Sequence, residues 1–174
     1  MVEAEEEVSP ASIPSRATIS WSTTIKATNT TILSDDEVQF EQSGGFRYCR
    51  SDEEFSSGSH RFGITVDWGG KDGQISFGVA YAPNLSCDAG VYYFTDAYIY
   101  CNYYPSFTKD YNNIHKTAPT KVKEGQEIFV NFDFDSRKLF WEIDGKEYEE
   151  LDFNTNGRPC YIVAGMFSGK AKFI

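Results

Sequence analysis

From Trp21 onward the chain is cut into short runs in which apolar and polar side chains alternate, separated about every eight to twelve residues by clusters of Gly, Asn, Asp and Ser. A period of two sends successive side chains to opposite faces of an extended strand, and short strands at this spacing are the pattern of an antiparallel sandwich. No stretch sustains the period of a helix packed on a core. The large hydrophobes agree, with 14 Phe, 11 Tyr and 3 Trp against 4 Leu. Aromatic and β-branched residues suit a pleated, half-buried surface, whereas leucine is the ordinary helix-core residue. One domain is expected from 174 residues, long enough to bury roughly 70% of its unfolded surface without disulfides or metals.

Individual runs set the faces on which any site must lie. In residues 61–67, Phe62, Ile64 and Val66 share one side and Arg61, Thr65 and Asp67 the other. In residues 127–135 the inner set is Ile128, Val130, Phe132 and Phe134, with Asn131, Asp133 and Asp135 outward. Ile75–Ala80 is apolar on both faces, as expected for a central strand. Asp144-Gly145, between Phe140-Trp141-Glu142-Ile143 and Lys146-Glu147-Tyr148-Glu149, predicts a type I′ hairpin turn, because both residues accept positive φ. With Asp135-Ser136-Arg137-Lys138 as a second link, residues 126–151 read as a three-strand meander. The run from Pro159 to Ala164 breaks at Gly165 and resumes at Ala171, which puts the C-terminus in a sheet. Residues 1–15, with Glu3, Glu5, Glu6, Glu7, Pro10 and Pro14, read as a flexible acidic leader, and residues 16–174 as the sandwich.

A net charge of −10 excludes a simple phosphate-tracking nucleic-acid binder and disfavours an anionic membrane surface, both of which need a basic face. With no apolar run of membrane-spanning length and glutamates where a secretory signal would be basic and then apolar, the expectation is a soluble, cytoplasmic monomer. Cys49, Cys87, Cys101 and Cys160 are spaced 38, 14 and 59 residues apart, which offers no zinc knuckle. Four reduced, buried thiols are expected, and neither a cofactor nor a metal.

Nucleophilic catalysis needs a nucleophile beside an oriented base. The two histidines, His60 and His115, lie in no nucleophile motif, so no catalytic residue is assigned. Asp133 and Asp135 share a strand face and read as solvated or structural carboxylates. The Trp68-Gly69-Gly70-Lys71-Asp72-Gly73 stretch lacks the ending of a phosphate loop and reads as a strand-to-strand loop with an exposed aromatic, Trp68, at its root. Residues 91–111 carry nine large aromatics interleaved with Asn. Some belong to the core, but Tyr103 and Tyr104 fall beyond the alternating run at Tyr98 and Tyr100, where rigid aromatics with a polar tip make recognition anchors.

Three stretches resemble the SPRY domain, a β-sandwich family used mostly for protein recognition. Phe55-Ser56-Ser57-Gly58-Ser59-His60-Arg61-Phe62-Gly63-Ile64-Thr65-Val66-Asp67 is similar to the family's entry strand, and Ile75-Ser76-Phe77-Gly78-Val79-Ala80 to its W-x-v-G-V-a strand. Gly125-Gln126-Glu127-Ile128, followed by Leu139-Phe140-Trp141-Glu142-Ile143-Asp144-Gly145, resembles its G-D-x-I meander and l-x-F-x-x-N-G turn. Arg61-Phe62-Gly63 stands where the family has Tyr-Trp-Glu, Gln126 where it has Asp, and Asp144 where it has Asn. Residues 21–50 lack the signature of the upstream subdomain of longer relatives, so the resemblance, over roughly residues 20–174, is to a divergent SPRY domain without it.

The resemblance implies two antiparallel sheets face to face, with about 11–13 short strands, and a non-catalytic module that binds a peptide or loop of a partner protein as a scaffold or substrate-recognition adaptor. Its ligand surface, formed by edge loops, maps onto Tyr81, Pro83 and Asn84, onto Tyr92, and onto the turn Met166, Phe167, Ser168 and Gly169, with Trp68 contributing. A carbohydrate-binding lectin is the alternative. It would use residues 98–113 and, in a calcium-dependent form, Asp133 or Asp135.

Overall fold

The computed structural model describes residues 18–41, 47–69, 73–81, 87, 96–102, 105–110, 112–114 and 119–174. Among the described residues the alternating runs become fifteen strands: β1 (Trp21–Lys26), β2 (Thr30–Ile32), β3 (Glu37–Phe40), β4 (Arg47–Ser51), β5 (Ser59–Asp67), β6 (Ile75–Ala80), β7 (Ala97–Cys101), β8 (Ser106–Lys109), β9 (Asn112–Asn113), β10 (Glu127–Asp133), β11 (Lys138–Ile143), β12 (Lys146–Glu147), β13 (Leu151–Asp152), β14 (Tyr161–Met166) and β15 (Gly169–Phe173). The excess over the expected number comes from β9, β12 and β13, two-residue strands that extend the ladders of β8 and β11. Among the described residues there is no helix.

All pairings are antiparallel and form two sheets. One runs β1-β4-β14-β6-β7-β8-β9, the other β12-β11-β10-β5-β15-β3-β2, with β13 also on β11. The inner faces meet in one core. Phe62, Ile64 and Val66 of β5 and Ile128, Val130 and Phe132 of β10 are buried as the alternation required. Trp141 of β11 stacks on Phe107 at 4.6 Å between ring centroids and donates its Nε1–H to the Phe77 carbonyl at 3.3 Å, which satisfies the indole inside the core. Trp21 stacks on Phe173 at 4.0 Å and donates to the Asp36 carbonyl at 3.0 Å. β6 is buried on both faces. A second apolar cluster on its outer side brings together Tyr48, Ala80, Cys87, Ala97, Ile99 and Val163.

The Asp144-Gly145 turn has φ of 51° and 74°, as a type I′ turn demands. Two departures from the SPRY pattern meet here. Gln126 accepts from the Lys123 backbone N–H at 2.8 Å and donates its amide to the Asp144 carboxylate at 2.7 Å. A carboxylate at both 126 and 144 would repel, so the amide at one position suits the acid at the other. β14 does not stop at Gly165 but continues to Met166; a side chain at Gly165 would overlap the Tyr48 ring, so the glycine serves close packing and not a break. All four cysteines are free and buried, and burial pushes the Cys49 thiol up to about 12. His60 docks its Nε2 against the Ser57 carbonyl at 2.7 Å and packs against Phe55 and Phe132, a strand-entry role. His115 lies outside the described residues.

Candidate functional site

The predicted contact residues divide between opposite ends of the sandwich. β6 separates them: Met166 pairs with Ile75 at its start, whereas Tyr81 follows its last residue, Ala80. Six strand residues span about 20 Å. Trp68, Met166 and Phe167 therefore lie at one end and Tyr81 at the other. Pro83, Asn84, Tyr92, Tyr103 and Tyr104 lie outside the described residues.

At the Tyr81 end the side chains are committed to one another. Tyr81 is 2% exposed, in place of the expected surface position. It extends the inner series Ile75, Phe77, Val79, so the period of two already carried the signal. Its hydroxyl donates to Asp110 Oδ1 at 2.9 Å, and the Ala97 N–H donates to the same oxygen at 3.1 Å. Burial, then the Asp110 carboxylate, raises the Tyr81 hydroxyl above the ordinary tyrosine range. Arg158 lies over the Tyr81 ring at 4.7 Å and binds Asp96 Oδ1 through Nη2 at 2.6 Å. That hydrogen bond holds the Asp96 carboxyl below its usual range. Asp96 and Asp110 both adopt positive φ, 66° and 47°, which aspartate tolerates better than most residues. Tyr98, also buried, accepts from the Asn154 N–H and donates to the Asp152 carbonyl, both at 2.9 Å. Tyr98 and Tyr100 are thus core residues, not a sugar-stacking surface.

At the opposite end a groove of about 490 Å³ is open. Three chain segments build it: Gln39, Phe40 and Glu41 at the end of β3; Asp67, Trp68 and Gly69 at the end of β5; Ser168, Gly169 and Lys170 at the start of β15. The Trp68 loop and the turn after Met166, two of the regions expected to contact a partner, do converge. Two of the predicted contacts there do not face water. Trp68 is 7% exposed and Met166 fully buried, the first continuing the inner series Phe62, Ile64, Val66 and the second Ile162, Ala164. A side chain at Gly73 would run into the Trp68 ring, so that glycine seats the indole. Phe167, on the other side of its strand, packs against the second apolar cluster. The rim is polar: Asp67 and Glu124 each accept from the Gly69 N–H, at 2.9 and 3.1 Å, and the first bond holds the Asp67 carboxyl low. Sequence reasoning reached Ser168 but missed Gln39, Glu41 and Lys170. Gln39 and Lys170 are cross-strand partners on β3 and β15 and Glu41 follows β3, so their convergence shows only when the strands are paired.

The architecture has solved counterparts. The SPRY domain of human HERC1 superposes with a TM-score of 0.71 at 15% identity, covering 88% of this chain and 96% of that one. The fold is that of a SPRY domain. The TRIM65 PSpry domain superposes with a TM-score of 0.68 at 13% identity over 91% and 92% of the two chains. A human SPRY domain does so with 0.59 at 15% over 83% and 95%. No family model matches the sequence, and no curated protein matches it. At such identities the likeness is one of SPRY architecture, and side chains at the two ends have to be read from this chain alone.

Proposed function

We propose that this protein is a non-catalytic protein-interaction module, a monomeric cytoplasmic scaffold or substrate-recognition adaptor, that captures an extended segment of a partner in the groove between β3, β5 and the β14–β15 turn. The observation that carries the reading is the convergence of three loops on one polar-rimmed groove over a buried indole. Preorganised walls lower the ordering cost of binding, and the SPRY architecture supports a recognition role. Trp68 and Met166 act as supports of the groove, not as contacts. Tyr103, Tyr104, Pro83, Asn84, Tyr92 and Phe167 keep the contact role inferred from the sequence. Glu41 and Asp67 at the rim, on a chain of net charge −10, favour a segment with a basic residue, which associates faster at low salt.

Affinity capture from native cells with Ser168→Arg and Glu41→Arg variants tests this. Both changes are at the surface and alter stability by no more than about 0.5 kcal/mol, while recovery of the partner falls about tenfold. If both folded variants retain the partner in full, the groove is not the binding site.

A further inference from the structure

The outer face of the β5–β10–β11 sheet carries a second site. Cross-strand register sets Phe140, Asn131 and Arg61 in one row and Lys138, Asp133 and Ser59 in the next, and the period of two aims all six outward. They line a pocket of about 280 Å³ with Ser136 and Glu150 at its margin. It shares no residue with the groove described above.

Three features set its chemistry. First, Phe140 is only half-buried, and among the described residues its ring meets no other ring and no cation, whereas neighbouring Phe129 is covered by the Arg61 guanidinium at 3.6 Å. Second, the Asn131 amide nitrogen, between Phe140 and Arg61, is buried with no hydrogen-bond partner. An orphan donor of this kind carries an uncompensated desolvation cost that is recovered when an acceptor arrives. The terminal torsion of Asn is soft, so the amide can turn towards an incoming oxygen. Third, both cations are already paired and the remaining carboxylate is hydrogen-bonded: Arg61 pairs with Glu142 at 3.0 Å, Lys138 with Glu150 at 2.9 Å, and Asp133 Oδ1 accepts from the Ser136 N–H at 2.7 Å. An anion would have to displace a paired carboxylate and would meet Asp133, and a cation would compete with Arg61 and Lys138 beside it, while a ligand that donates and accepts at several points bonds to their remaining lone pairs and protons.

We infer that this pocket binds a neutral polyhydroxylated ring, such as a single pyranose unit of a glycan, with one C–H face on Phe140 and a hydroxyl oxygen accepting from Asn131. The electron-rich ring face attracts weakly positive C–H groups. The volume is just below the roughly 300–1,000 Å³ of drug-sized sites, as suits one ring. Neither calcium nor the Tyr98 region takes part. The inference is independent of the protein-binding groove.

Titration of ¹⁵N-labelled protein with neutral methyl glycosides, followed by NMR, tests it, because the Asn131 side-chain amide is itself observable. The expected result is a saturable shift of that amide and of the backbone amides of Phe140 and Arg61, in the millimolar range typical of a single ring. Phe140→Ala and Asn131→Leu each weaken it about tenfold, with Phe140→Leu replacing the first if the spectrum shows unfolding. No saturable shift with any neutral glycoside, shifts mapping elsewhere, or binding unchanged in the folded variants would overturn the proposal. So would a site that responds only to acetate or to alkylammonium ions. Partner capture is unaffected by these changes, so failure here leaves the groove reading intact.

Discussion

The two ends of the sandwich are built from similar materials and come out differently. At the Tyr81 end, carboxylates, an arginine and two tyrosines bind one another: Asp110 takes two donors, Arg158 is shared by the Asp96 carboxylate and the Tyr81 ring, and Tyr98 pins the chain at Asn154. At the Trp68 end the aromatic is buried just as deeply, but Glu41, Ser168 and Lys170 stand around an open groove. A cluster whose polar groups are mutually satisfied has little left for a ligand, whereas polar groups around a rigid apolar floor keep their capacity. Counting aromatics is therefore a poor guide to a binding end. What matters is whether the polar groups near them close over the aromatic, as at Tyr81, or leave a groove open above it, as at Trp68.

Breaking the floor of the open end has the largest effect. Trp68→Ala removes a buried indole and lowers stability by about 3–5 kcal/mol, read as a shift in the denaturant midpoint at constant slope. A loss below about 1 kcal/mol would mean that the indole is not the floor of the groove. Next comes Tyr81→Phe, which keeps the ring but deprives Asp110 of one of its two donors. It costs about 1–3 kcal/mol and leaves partner capture unchanged, since the Tyr81 end is structural in this comparison. Loss of capture in the folded variant would reverse the roles of the two ends.

The smallest effect is the acid response of the Arg158–Asp96 pair. The Asp96 carboxyl is held below its unfolded value, so the stabilisation is present above about pH 4 and is lost as pH falls through the folded-state value. Both side chains are 35% exposed, so solvent screens the pair and its contribution is small. The stability gap between wild type and Arg158→Gln, measured by denaturation at neutral and strongly acidic pH, should shrink in acid. A gap independent of pH would mean that Arg158 acts through its stacking on Tyr81 and not through its charge.

Much of this was legible in the chain. The alternation in β5 and β10, the Asp144-Gly145 turn and the double-sided burial of β6 needed only period and turn chemistry. Tyr81, Trp68 and Met166 were legible too, had the alternation been carried one residue past each run. They were misplaced because loop aromatics were expected to face water. Gln126 and Asp144 are a different case: each departs from the SPRY pattern, and their compensation is visible only when an 18-residue separation in sequence becomes a 2.7 Å hydrogen bond.

By itself, the sequence determined that the protein is an antiparallel sandwich and which face of each strand its side chains take, because strand geometry imposes a period of two on every residue in a run. Only the tertiary structure decided which faces meet solvent and which residues meet one another. Asp110 reaches Tyr81 from 29 residues away, and the Arg61, Asn131 and Phe140 row assembles from three strands. Such contacts depend on register between distant strands, a property of the paired sheet that no local pattern encodes.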